Sequence, residues 1–124
     1  MDKKKVLIID DEQDLIDLLT LRLENEGYEV SAALNGTEGL EKIKSEKPDI
    51  VLLDVMMPEL NGYQVCRKLK QDDNLKDIPV VMLTAKAQES DKFWGMEIGA
   101  DDYVTKPFEF SQLSEVIKKY LPNK

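Results

Sequence analysis

Along this chain, short apolar runs alternate with helical periods five times. Val6-Leu7-Ile8-Ile9 is apolar throughout and of strand length. Residues 12–26 follow, with Leu15, Ile16, Leu18, Leu19 and Leu23 read as one helix face, Asp11 as its N-cap and Gly27 as its stop. Tyr28 to Ala32 alternates as an edge strand does. The second helix is predicted from Asn35-Gly36 to just before Pro48, with Leu40 and Ile43 facing in. Ile50 to Leu53 is the third strand. Met57-Pro58 breaks the chain, and Asn61 caps a third helix that buries Val65, Cys66 and Leu69. Val80 to Leu83 is the fourth strand, and a fourth helix is predicted over 88–98, ending at Gly99. Asp102 to Thr105 is a short fifth strand. Leu113, Val116, Ile117, Tyr120 and Leu121 give the last helix its apolar stripe.

Strand-helix units repeated in this way predict an α/β fold, a doubly wound parallel sheet of five strands with five helices. Strands one, three and four lack polar positions, as strands covered on both faces should. The 124 residues suit one domain, 1–124, with no linker and no effector domain within this chain. No apolar run approaches the ~18–20 residues of a membrane span. The basic start, Lys3 to Lys5, is followed by too short an apolar run for an export signal, so a cytoplasmic location is expected. The lone Cys66 agrees, since it has no internal disulfide partner, and it is read as a small core residue.

The formal net charge is -8 and there is no histidine. That field disfavours direct nucleic-acid or acidic-membrane binding and favours cations and basic partners. It leaves carboxylates, hydroxyls and lysines to carry any chemistry.

Those residues stand at strand ends. Strand one ends at Asp10-Asp11, strand three at Asp54, strand four at Thr84 and strand five at Lys106-Pro107. Open parallel sheets bind ligands at the carboxyl ends of strands, where strand order reverses. In the order 2-1-3-4-5, strands one and three are neighbours, so Asp10, Asp11 and Asp54 converge. Packed carboxylates resist full ionisation, and a hard divalent cation such as Mg²⁺ relieves that while leaving room for a phosphoryl group. Lys106 adds a fixed positive charge and Thr84 a hydroxyl. Ala85 is small enough to leave space for an incoming group. Asp54 would be the nucleophile that forms an acyl phosphate. Taken singly, each feature has a plain structural reading: Asp10-Asp11 as a helix cap, Asp54 and Lys106-Pro107 as turns, Thr84 as a strand end. Their occurrence together at four strand ends favours the chemical one.

The set Asp10-Asp11, Asp54, Thr84-Ala85 and Lys106-Pro107-Phe108, with the stretches Val6–Glu12, Val51–Gly62 and Gly99–Phe108, resembles the signature of response-regulator receiver domains of two-component signalling, chemotaxis regulators among them. The resemblance runs from Lys5 to Leu121. It implies a flavodoxin-like fold and a phosphoryl group accepted by Asp54 from a histidine kinase or phosphotransfer protein. It implies Mg²⁺ held by Asp10, Asp11, Asp54 and the backbone carbonyl of Met56, and contacts from Thr84 and Lys106 to the phosphoryl group. Tyr103 matches the aromatic switch position that turns inward when Thr84 moves, and the Lys106-Pro107 bond would be cis. Met56 and Lys86 occupy positions that influence phosphoryl loss in the family. The face made by the 88–98 helix, strand five and the last helix would then change its affinity for a downstream protein or a fused effector domain. A phosphorylation-dependent homodimer is compatible with this. Such a domain regulates, and catalyses only its own phosphorylation and dephosphorylation.

Three other readings compete. An aspartate-nucleophile phosphatase would carry Asp-x-Asp after strand one, where this chain has Asp10-Asp11-Glu12. A flavin carrier would need a hydroxyl- and glycine-rich loop there, and this acidic loop repels phosphate. A receiver-like interaction module working without phosphorylation would not need the intact acidic set. Gly36, Gly62 and Gly99 are assigned only turns and caps. Phe93 and Trp94 are read as packing residues, with Trp94 also a candidate for a partner surface.

Overall fold

The computed structural model describes residues 3–84 and 99–122. The predicted 88–98 helix, Ala85, Lys86, Phe93 and Trp94 lie outside the described residues. Five parallel strands form one sheet: β1 (Lys5–Ile9), β2 (Glu29–Ala33), β3 (Ile50–Asp54), β4 (Val80–Thr84) and β5 (Asp102–Thr105). Their order is β2-β1-β3-β4-β5, as expected for the flavodoxin-like fold that the resemblance implied. Four helices are present among the described residues: α1 (Gln13–Asn25), α2 (Gly36–Glu46), α3 (Gly62–Lys70) and α4 (Phe110–Tyr120).

Side chains alternate across a strand, so the sheet supports a core on each face. On one face Leu7, Ile9, Val51, Leu53, Val80 and Met82 pack with Ile43, Val65, Cys66 and Leu69 from α2 and α3. On the other, Val6, Ile8, Ile50, Leu52, Val81 and Leu83 pack with Ile16, Leu19 and Leu23 of α1 and Leu113 and Ile117 of α4. This two-sided cover explains why the central strands carry apolar residues at consecutive positions. β2, at the edge, is only partly buried.

Two expectations for α1 are corrected. Leu18 is 54% exposed and does not share the inward face. At about 100° per residue, Ile16, Leu19 and Leu23 line one stripe, and Leu18 lies nearly opposite Ile16. The N-cap is Glu12, not Asp11. The Asp10 carboxylate accepts the Glu12 N–H at 2.9 Å, which starts the helix one residue later and leaves Asp11 exposed. The α3 cap is as predicted: Asn61 accepts the Gln64 N–H, and the Gln64 side chain accepts the Asn61 N–H.

Lys70, at the end of α3, ties the chain to the start of β5. Its ammonium donates to the carbonyls of Lys76 and Ile78 at 2.9 and 2.8 Å and to Asp101 at 3.1 Å. Asp101 also accepts the Val80 N–H at 2.8 Å. From the other side, the Tyr120 hydroxyl donates to the Asp101 carbonyl at 2.7 Å. The start of β4 and the start of β5 are thereby fixed to one frame.

Candidate functional site

β1 and β3 run side by side, with Ile9 opposite Leu53, so the residues just beyond them emerge at one sheet edge. Asp10 is fully buried, Asp54 is 5% exposed, and Asp11 is exposed. One carboxylate oxygen from each lies within 4.8 Å of the others. β4 and β5 add the opposite wall. Thr84 lies opposite Thr105, and the Thr84 carbonyl accepts the Lys106 N–H at 2.6 Å. That bond sets Lys106 beside the end of β4, and the Lys106-Pro107 peptide is cis. The Lys106 ammonium then reaches back across the edge to Asp10 at 2.9 Å, Glu12 at 3.3 Å and Asp54 at 3.4 Å.

The charges in this cleft oppose burial and one another. Burial, and then the charge of Asp10, pushes the Asp54 carboxyl up to about 6; Lys106 and the Met56 backbone N–H pull the other way. Burial alone would lower the Lys106 pKa, but the hydrogen bond and field of Asp10, joined by Asp54 and Glu12, leave it raised, so Lys106 stays charged. One ammonium does not fully compensate the acids. Three convergent carboxylates of net negative charge, offering hard oxygen donors, fit a divalent cation such as Mg²⁺. Asp10, Asp11 and Asp54 are the residues placed to hold it.

The remaining predicted residues occupy different places. Thr84 is buried at the end of β4. Met56 follows Asp54 by two residues and its side chain is exposed. Tyr103 is half-buried three residues before Lys106 and packs against the core on the α2–α3 face of the sheet. Glu12 was not anticipated as a partner of Lys106. The contact joins residues 94 apart in sequence, and the nearest signal was its position next to the acid pair. Beside Glu12 and Lys106, a groove of about 860 Å³ opens between α1 and residues 107–111, lined by Leu15, Leu18, Leu19, Phe108 and Phe110.

Comparison with known proteins agrees with this arrangement. Residues 6–118 match the response regulator receiver domain family. The chain is 47% identical over 118 residues to the alkaline phosphatase synthesis transcriptional regulatory protein PhoP of Bacillus subtilis (strain 168). That alignment covers 95% of this chain and 48% of PhoP, so the chain spans about half the length of this relative. Among solved structures, the signal receiver domain of a signal transduction histidine kinase from Syntrophus aciditrophicus is 35% identical with a TM-score of 0.89, covering 96% of this chain and 90% of that one. Chemotaxis protein CheY4 of Vibrio cholerae is 28% identical with a TM-score of 0.91, covering 96% of this chain and 99% of that one. With its strand order, its converging aspartates and a family match over nearly its whole length, the chain belongs to the response regulator receiver domains of two-component systems.

Proposed function

We propose that this domain is a phosphorylation-activated switch in which Asp54 accepts a phosphoryl group from a histidine kinase or phosphotransfer protein. The observation that carries the reading is a nearly buried Asp54 grouped with Asp10 and Asp11, with the Lys106 ammonium 3.4 Å from Asp54 and 2.9 Å from Asp10. Mg²⁺ would be held by Asp10, Asp11, Asp54 and the backbone carbonyl of Met56, where it would neutralise the carboxylates and screen the transferring phosphoryl oxygens.

The protein's own groups account for the rest. Asp54, held near 6, is mostly ionised at neutral pH and so is available as a nucleophile. Its oxygen attacks the donor phosphorus as the P–N bond of a phosphohistidine, or the P–O bond of a small acyl phosphate, breaks and its electron pair leaves with the donor. Lys106, freed from pairing with the bare carboxylates, meets the incoming phosphoryl oxygens, and Thr84 donates its hydroxyl to another. The same chemistry lets water remove the group later. The domain thus catalyses its own phosphorylation and dephosphorylation and turns over no external substrate.

Movement of Thr84 and Tyr103 would then shift the face that includes β5 and α4 between two packings with different partner affinities. Residues 1–124 are read as one receiver domain. The partner of the switched face is a downstream protein or a fused effector domain; the curated relative, of which this chain matches about half, is a transcriptional regulatory protein. A cytoplasmic location fits a kinase-driven switch, and no helix among the described residues is long and apolar enough to cross a membrane.

The test is intact mass after incubation with Mg²⁺ and acetyl phosphate. A single adduct of ~80 Da is expected in wild type and none in Asp54→Ala. An equal adduct in both proteins, or none in either, would turn the reading towards a module that works without phosphorylation.

A further inference from the structure

Three carboxylates share the Lys106 ammonium, and they are not equivalent. Asp10 and Asp54 are buried, whereas the Glu12 side chain is 64% exposed. Glu12 is also held in place by the cleft itself, since Asp10 accepts its N–H and α1 starts immediately after it. The function proposed above, on which this inference rests, asks a divalent cation to bind Asp10, Asp11 and Asp54. Two of those are carboxylates that the ammonium already occupies. A dication and an ammonium repel strongly at a buried carboxylate, so Lys106 must leave Asp10. It must nevertheless stay beside Asp54 to meet phosphoryl oxygens. Among the described residues, Glu12 is the acid within reach of Lys106 that lies outside the three-carboxylate group.

We infer that Glu12 is a positioning residue that takes over the Lys106 ammonium when a divalent cation claims Asp10, coupling cation entry to the placement of Lys106. The ammonium already bridges Asp10 and Glu12, so the transfer needs only a small displacement along an existing pair of contacts. Because Glu12 is exposed, an ion pair there avoids the desolvation penalty of the buried acids. Without Glu12, a displaced Lys106 has no carboxylate of its own, and the cation must compete harder for Asp10.

Calorimetric titration of Mg²⁺ into wild type, Glu12→Gln, Lys106→Ala and the double variant tests this as a thermodynamic cycle. Lys106→Met replaces the alanine if that protein does not fold. Glu12→Gln should weaken Mg²⁺ binding about two- to five-fold, the range an exposed ion pair supports. Loss of the lysine should tighten binding, and in that background Glu12→Gln should change nothing. An equal loss in both backgrounds would make Glu12 only a nearby negative charge, and no loss in either would deny it any part; both overturn the inference. Asp11→Ala serves as the control on the cation site. If wild type binds no Mg²⁺, or Asp11→Ala binds it as well as wild type, the cation site itself fails. Uncoupled Glu12 in a wild type that binds Mg²⁺ removes only its positioning role.

Discussion

Asp54 shows how a single residue is set against the stability of its own fold. Burial and the charge of Asp10 hold its carboxyl at about 6, against an ordinary value of 3.8. A carboxyl with a raised pKa binds its proton more tightly in the folded state than in the unfolded one. The stability this gives is fully present below 3.8 and is lost as pH rises through about 6. The span corresponds to about 3 kcal/mol. In chelator at about pH 7.5, Asp54→Asn should therefore be more stable than wild type by up to that amount and should lose the pH slope. Equal denaturant midpoints across this range would show that the charge is tolerated at no penalty. Cys66 is a simpler case. Burial lifts its thiol to about 11, so at about pH 8 only about one molecule in a thousand carries the thiolate. The native protein should resist alkylation until it is unfolded, and rapid native labelling would contradict the packing. The places of the candidate residues Asp10, Asp11, Asp54, Thr84 and Lys106 were legible because each stands at or just beyond a strand's end. The pairing of Glu12 with Lys106 was not, because it depends on the path of a side chain across two loops.

At the scale of elements, the loop from β3 to α3 decides where Asp54 sits. A Cβ on Gly62 would lie 2.4 Å from the Asp54 carbonyl oxygen and 2.9 Å from the Val55 Cα, both backbone atoms that cannot turn aside. The start of α3 is thereby packed directly on the end of β3, and the Gly62 N–H donates to the Val55 carbonyl at 3.0 Å. Gly62→Ala should destabilise the fold by about 1–3 kcal/mol and slow phosphoryl incorporation, because the strand end must move to admit a methyl group. Urea denaturation and the rate of adduct formation check this, and wild-type values for both would contradict it. The sequence marked Asn61 as the cap because capping chemistry is local, but it suggested only a turn for Gly62. A close approach between two backbones leaves no trace in hydrophobic periodicity. The misreading of Leu18 has a different origin. Five apolar residues within nine positions of α1 cannot all face one side, and only packing shows that Ile16, Leu19 and Leu23 form the buried set.

At the scale of the whole molecule, the strand order brings four loop tips to one edge, and a protein of net charge -8 places an acidic cleft there. Cation binding should therefore stabilise the folded state. At ten times its dissociation constant, Mg²⁺ should add about 1.4 kcal/mol and raise the melting temperature by about 4–8 °C. Asp11→Ala should abolish most of that rise without unfolding the protein, since Asp11 is exposed; an undiminished rise would place the ion elsewhere. The architecture was legible because β1, β3 and β4 are apolar throughout and each is followed by a residue of distinct chemistry. The partner of the face proposed to switch was not, because an interface depends on a second surface that this chain does not encode. The most direct test of the central claim is to trap the acyl phosphate chemically. After reaction with acetyl phosphate and Mg²⁺, reduction with borohydride converts a phosphorylated aspartate to homoserine, which peptide sequencing by mass spectrometry locates. Homoserine at position 54 and at no other aspartate is the predicted result; homoserine at position 10 or 11, or none despite a stable adduct, would contradict the account.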